Sequence, residues 1–265
     1  VELDLSHPFT AARARNAGVA RLAAGGLPDA VQFVDGDCEL QPGWIAAATA
    51  AMAEDDRIAV VCGRRREIRP EASVWNRLID REWDTPVGDA RACGGDALMR
   101  MTAFRAVDGF NPRVIAGEEP ELCVRLRAAG WRVRRIDREM TLHDAEILHF
   151  GQWWRRMVRA GYAFALGAAL HGAAPERHYV RSFRRAVIWG LALPATVLLL
   201  AVLVGPWALA LVLLYPAQVA RLARRDGDLA HAAFTILGRF PEARGVLRYW
   251  ADVALGRQAA IIEYK

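Results

Sequence analysis

The sequence predicts an α/β domain built on a mostly parallel sheet flanked by helices, followed by C-terminal transmembrane and interfacial helices. Three observations predict it. Short apolar runs alternate with alanine-rich stretches of helical period through the first 145 residues. No charged residue occurs from Ala186 to Ala220. Arginines crowd both flanks of that run: Arg181, Arg184 and Arg185 before it, Arg221, Arg224 and Arg225 after it. With 54% hydrophobic and 25% charged residues, the chain is not disordered, and its uneven apolar excess argues against an ordinary soluble enzyme.

The elements follow in order. Thr10 to Ala24 is an alanine-rich helical stretch closed by Gly25-Gly26. Val31 to Val34 is a short buried strand that ends in Asp35-Gly36-Asp37. Pro42 opens a helix over Gly43 to Glu54, with Trp44, Ala47, Ala48 and Ala51 on one face. Ile58 to Cys62 is a second apolar strand. Strand–helix–strand order implies parallel strands, and ligands of such sheets sit beyond the strands' carboxyl ends, where Asp35 and Asp37 stand. Pro120 and Gly130 bracket a further helix, and Trp131 to Ile136 is an arginine-rich strand leading to His143.

Residues 151–182 mix tryptophan, tyrosine and arginine, as an interfacial helix would. The uncharged run is longer than the roughly 20 residues that cross a bilayer once. Gly205-Pro206 divides it, so a hairpin within 183–225, with spans near 186–203 and 207–221, competes with one tilted helix or a re-entrant loop. Basic residues stay cytoplasmic, and having them on both flanks favours the hairpin. Residues 226–265 read as helices on the membrane surface. Val1 to Ala20 shows no apolar stretch of the secretory kind.

The formal charge of +5 rests on arginine, since Lys265 is the only lysine. Its clustering beside the apolar run points to a membrane, and no nucleic-acid partner is expected. Cys38, Cys62, Cys93 and Cys123 form no C-x-x-C pair, which excludes zinc-knuckle and thioredoxin-like readings. They read as small buried apolar residues in a reducing compartment.

Three groups of residues carry candidate chemistry. Asp35-Gly36-Asp37 offers hard oxygen ligands beside a glycine, although the same tripeptide is an ordinary turn. Glu118 and Glu119 sit at a helix N-terminus, where they either complement the dipole or present a general base. His143 is either a structural histidine or a metal ligand.

Their order is informative. Asp35-Gly36-Asp37 is followed by Cys93-Gly94-Gly95-Asp96, then Val107-Asp108-Gly109-Phe110, Gly117-Glu118-Glu119, Gly130-Trp131 and His143, with Ala12-Arg13-Ala14-Arg15-Asn16-Ala17-Gly18 upstream. Over about residues 8–150 this series resembles the family 2 glycosyltransferases of GT-A fold, in their membrane-associated bacterial form. The resemblance implies a domain over 1–150 that inverts configuration while moving a sugar, of hexosyl type, from a nucleotide-diphosphate donor to a lipid-linked or saccharide acceptor. It implies donor and diphosphate binding by Arg15, Asp35 and Asp37, and a Mg²⁺ or Mn²⁺ ion on Asp37 and His143. Glu119, with Glu118 beside it where the family has a Glu-Asp pair, is implied as the base. Gly94, Gly95 and Asp96 are implied to line the acceptor side. The implied place is the inner membrane, with the catalytic domain cytoplasmic. Gln152-Trp153-Trp154-Arg155-Arg156 departs from the family's processive motif, so processivity is not inferred. The chain starts close to the arginine-bearing helix, and the resemblance implies that the first part of the nucleotide-binding sheet precedes it. The competing expectation is a degenerate homologue or scaffold that has lost donor binding.

Overall fold

The computed structural model describes residues 9–257 and 262, and the chain divides into two units at Leu148–His149.

In the first unit, helix α1 (Ala11–Ala23) begins where Thr10 caps it, its side chain accepting from the Arg13 amide at 3.1 Å. Asn16 fixes the helix's orientation. Its Nδ2 donates to the Phe110 carbonyl at 2.7 Å, and its Oδ1 accepts from the Phe110 amide at 3.0 Å. Phe110 in turn packs edge-on against Phe33 and Phe104 in the core. Arg15, one residue back, is thereby aimed beyond the end of strand β1 (Ala30–Phe33).

The remaining elements are β2 (Cys38–Leu40), α2 (Trp44–Ala53), β3 (Ile58–Glu67), α3 (Val74–Glu82), β4 (Gly88–Asp89), β5 (Ala97–Arg100), α4 (Met101–Ala106), α5 (Glu118–Ala128) and β6 (Arg132–His143). Sheet order is β1-β5-β3-β6-β2, with β4 on β6. The α/β class and the flanking helices stand as expected, and Trp44 and Ala48 of α2 are wholly buried. The pairing is mixed rather than mostly parallel. Only β3 and β6 run parallel; the other pairs are antiparallel. The reason is β5, which inserts between β1 and β3. The β1–α2–β3 crossover does deliver two strands of one direction, but an antiparallel strand separates them.

This insertion positions the site. Ala97, the first residue of β5, pairs with Phe33, the last of β1, so Asp96 lies beside Asp35. Further along, Arg65 pairs with Thr141 and Glu67 with His143 across β3 and β6, and Cys38 of β2 flanks His143 on the other side.

In the second unit, helices α6 (Phe150–His171), α7 (Val180–Val187), α8 (Leu193–Leu203), α9 (Leu214–Asp226), α10 (Leu229–Leu237) and α11 (Arg239–Ala254) follow in order. Backbones touch where α6 meets α11. A Cβ on Gly161 would lie 1.9 Å from the Glu242 carbonyl oxygen, and one on Gly245 would lie 2.0 Å from that of Val158. Trp153, placed in an interfacial segment by the sequence, is buried and stacks edge-on against Phe234 at 5.1 Å. On α11, Ala243, Val246 and Tyr249 are buried, while Leu247, Trp250 and Val253 on its other side are exposed.

The uncharged run is not one helix. Ahead of Pro194 the helix widens into a π-turn over Ile188–Ala192, where the Leu193 amide reaches back to the Ile188 carbonyl. Such widening accommodates a residue that has no N–H to donate. Gly205, at φ 125°, then breaks the chain before a 3₁₀ segment over Pro206–Leu213. Two helical stretches result, Val180–Leu203 and Pro206–Asp226, each long and apolar enough to cross a membrane.

Candidate active site

The carboxyl end of β1, the start of β5, the far ends of β3 and β6 and the N-terminus of α5 converge on one cluster of acids and arginines. Arg15 is its hub. Its Nη2 donates to Asp35 Oδ1 at 2.5 Å, and its Nη1 donates to Glu118 Oε1 at 3.0 Å and Glu119 Oε1 at 2.7 Å. Burial alone would weaken this guanidinium's hold on its proton, but Glu119, Asp35 and Glu118 together outweigh it and raise its pKa.

Arg65 is a second cation, buried with its guanidinium 4.7 Å from the Trp83 ring centre. It donates to Asp35 Oδ2 at 3.1 Å and stands 3.8 Å from Asp37 and 3.7 Å from Asp96. Asp96 is fully buried. It accepts from the Asp35 amide at 2.8 Å and from the Thr141 hydroxyl at 2.7 Å. Its carboxylate thereby braces the backbone of Asp35.

Gly95 must be glycine for this packing, because a Cβ there would lie 2.1 Å from Asp35 Oδ2. Gly94, at φ 78°, faces the Trp83 ring, which a Cβ would approach to 2.7 Å. These glycines therefore seat Asp35 and Trp83.

Glu118 and Glu119 open α5 after Gly117, whose φ of 79° sets the turn. Pro120 occupies the third helical position rather than the first; its missing N–H is tolerated anywhere in the opening turn. Both glutamates are buried. Burial first, and then the neighbouring Glu118 charge, push the Glu119 carboxyl up to about 7, against the opposing pull of Arg15. A carboxylate of that affinity is matched to taking a proton near neutral pH.

His143 stands at the end of β6, its Nε2 3.7 Å from Asp37 Oδ2 and its Nδ1 3.1 Å from Glu67 Oε2. Asp37, Cys38 and His143 each bring one ligand atom within 4.8 Å of the others, and so do Asp35, Cys38 and Asp96. Burial pushes the Cys38 thiol well up, so it offers no ready thiolate. Carboxylate oxygen and imidazole nitrogen therefore dominate the donor set, and both suit Mg²⁺ or Mn²⁺.

The structure thus brings Arg15, Asp35, Asp37, Glu118, Glu119 and His143 to one place, with Gly95 and Asp96 beneath Asp35. The sequence reading missed Arg65, Glu67, Trp83 and Thr141. The expected strand ended at Cys62, whereas β3 runs on through Arg64, Arg65 and Arg66 to Glu67. The available signal was the proline-free run from Ile58 to Glu67, whose single glycine, Gly63, a strand accommodates at an irregularity in its register.

No protein-family model matches the chain. It is 29% identical over 153 residues to the pre-mycofactocin glycosyltransferases of two Mycobacterium tuberculosis strains, CDC 1551 / Oshkosh and ATCC 25618 / H37Rv. That match covers 53% of this chain and 32% of each relative, so the chain spans about a third of their length. Among solved structures it is similar to the mannosyltransferase PcManGT from Pyrobaculum calidifontis, in complex with GDP-Man and Mn²⁺. The TM-score is 0.59 at 16% identity, over 89% of this chain and 66% of that one. The chain has the fold of a solved glycosyltransferase and sequence similarity to glycosyltransferases.

Proposed function

We propose that the protein is an inverting, GT-A-type family 2 glycosyltransferase. It moves a sugar from a nucleotide-diphosphate donor to a lipid-linked or saccharide acceptor at the inner membrane, with its catalytic domain on the cytoplasmic side. The observation that carries this reading is the convergence of Arg15, Asp35, Asp37, Glu119 and His143, which are dispersed over 129 positions of the sequence, on one end of the sheet. The similarity to glycosyltransferases supports it.

Asp37 and His143 would hold the divalent ion, which neutralises charge on a departing diphosphate. Arg15, now shared among three carboxylates, would turn to the diphosphate when donor arrives. Its departure frees Glu119, and loss of that cation strengthens Glu119 as a base. Glu119 takes the proton of the acceptor hydroxyl as the oxygen attacks the anomeric carbon. The bond to the diphosphate breaks on the opposite face, which inverts the centre. Glu118 keeps the local charge negative and so sustains the high proton affinity of Glu119. The two apolar helical stretches would anchor the chain in the bilayer.

The test uses the full chain in membranes, with labelled nucleotide sugars and Mg²⁺ or Mn²⁺. Transfer should require the ion, and Glu119→Gln should lower turnover about 10²- to 10⁴-fold with the protein still folded. Asp37→Ala should abolish ion-dependent turnover. Unchanged turnover in Glu119→Gln removes it as the base; donor binding by none of the common nucleotide sugars favours a degenerate homologue. A reporter fused after Lys265 should read cytoplasmic, and a signal from the far side refutes the hairpin.

A further inference from the structure

Glu67, like Asp96, is a carboxylate near the site whose side chain has no exposed surface. Its Oε2 accepts from the Ala145 amide at 3.0 Å and lies 3.1 Å from His143 Nδ1. Its Oε1 faces two more donors, Asn76 Nδ2 and the Arg69 amide, each at 3.4 Å. Asn76 is buried too and holds the same loop, its Oδ1 accepting from the Ile147 amide at 3.1 Å. Ser73 adds a third tie, donating to the Ile147 carbonyl at 2.6 Å. The opening of α3 and the end of β3 therefore fasten the segment that carries His143.

Both oxygens of Glu67 face N–H groups. A carboxylate, an acceptor only, satisfies that arrangement; a carboxamide, with one donating end, does not. With Ala145 already donating to Oε2, His143 Nδ1 must also be a donor there. In the neutral ring the proton then sits on Nδ1, and Nε2 keeps its lone pair on the side facing Asp37.

We infer that Glu67 is a positioning residue that fixes His143 as its Nδ1–H tautomer and so presents Nε2 as a ligand toward Asp37. This rests on the proposed reading of Asp37 and His143 as a divalent-metal site. Carboxylates that orient ligating histidines commonly matter tenfold to a hundredfold in metal affinity.

The experiment is ¹⁵N-histidine NMR on the full chain in micelles near about pH 8, where an ordinary imidazole is neutral. The His143 signal is identified by its loss in His143→Gln. Wild-type protein should show the Nδ1–H pattern; an Nε2–H pattern overturns the inference. Glu67→Gln should redistribute the tautomers and weaken Mn²⁺ binding, measured with the free ion, about 10- to 100-fold. Glu67→Asp, which keeps an acceptor-only group, should retain the wild-type tautomer and recover part of the affinity. A Glu67→Gln protein unchanged in both readouts also overturns it. If wild type binds no Mn²⁺, the metal reading fails, while the tautomer still decides the role of Glu67. If Glu67→Gln does not fold, the wild-type and Glu67→Asp spectra decide it.

Discussion

The two units solve opposite problems. In the first, charge is inside. Arg64, Arg65, Glu67, Asp96, Glu118, Glu119 and His143 are all buried, and they are held by one another and by backbone groups. In the second, Glu242 is the one buried charged residue among those described, while the stretch between the flanking arginines exposes apolar side chains: Val202 is 83% exposed and Trp207 89%. In water, buried charges need partners and exposed apolar surface is unfavourable. The first unit meets the first demand. The second unit breaks the second demand, and a bilayer would remove that cost.

What holds each unit also differs. Gly95 in the first unit makes room for a side chain, that of Asp35. Gly161, Gly245 and Gly190 in the second make room for backbone; a Cβ on Gly190 would meet the Arg239 carbonyl at 2.0 Å. Backbone has nowhere to go, so the largest effect should come from Gly161→Leu. We expect it to lower stability by at least about 3 kcal/mol, the upper end for forcing atoms into a packed core. The contrast is Gly18→Ala on α1, where nothing lies within 4 Å. That change should be stabilising by about 0.5–1 kcal/mol. Thermal unfolding in detergent reads both; equal responses would erase the distinction.

Val202→Arg sharpens the comparison from outside. On an aqueous surface such a change usually stays within about 0.5 kcal/mol. At a bilayer centre it costs about 2.5–3.5 kcal/mol. The variant should shift from the membrane to the soluble or degraded fraction. Unaltered membrane flotation would mean that Val202 does not sit in the hydrocarbon.

The sequence made these two regions legible to different depths. The elements whose signals are local were found nearly to their ends: α1 within Thr10 to Ala24, β1, α2, and α5, which begins at Glu118 rather than at Pro120. So was the break at Gly205-Pro206. The four-residue β5, which directly follows the Gly94-Gly95-Asp96 motif, was not read as a strand, and the mixed sheet was missed with it. At the site, the residues legible in advance lay in an ordered series of motifs. Arg65 and Glu67 did not, because charged residues in a strand interior have no apolar period. Only their pairing with Thr141 and His143, distant in sequence, reveals them. The partner of Trp153 was illegible for a related reason: its burial against Phe234 depends on a helix more than 70 residues away.

The smallest effect concerns how the first unit tolerates its buried acids. Glu119 carries a folded-state pKa of about 7 against an ordinary value of 4.5, raised chiefly by burial. The sign follows from proton linkage. Below pH 4.5 the group is protonated folded or unfolded, and its neutral form is accommodated. Between 4.5 and 7 the unfolded chain releases the proton while the folded chain keeps it, so stability falls as pH rises. Above about 7 both are ionised and the loss is complete. Glu119→Gln has no such titration. The stability of that variant minus that of wild type should therefore grow from pH 4.5 to 7 and then level off. The Arg15 charge beside Glu119 pulls the other way, which limits the size of the rise. Denaturant unfolding of both proteins across that range measures the difference directly. A flat difference would mean that Arg15 cancels the burial; one that shrinks with pH would mean that Arg15 prevails and holds Glu119 ionised in the resting protein. Either result would turn the hub of the first unit from a set of poised acids into a fixed salt-bridge network, as inert as the glycine contacts that hold the second.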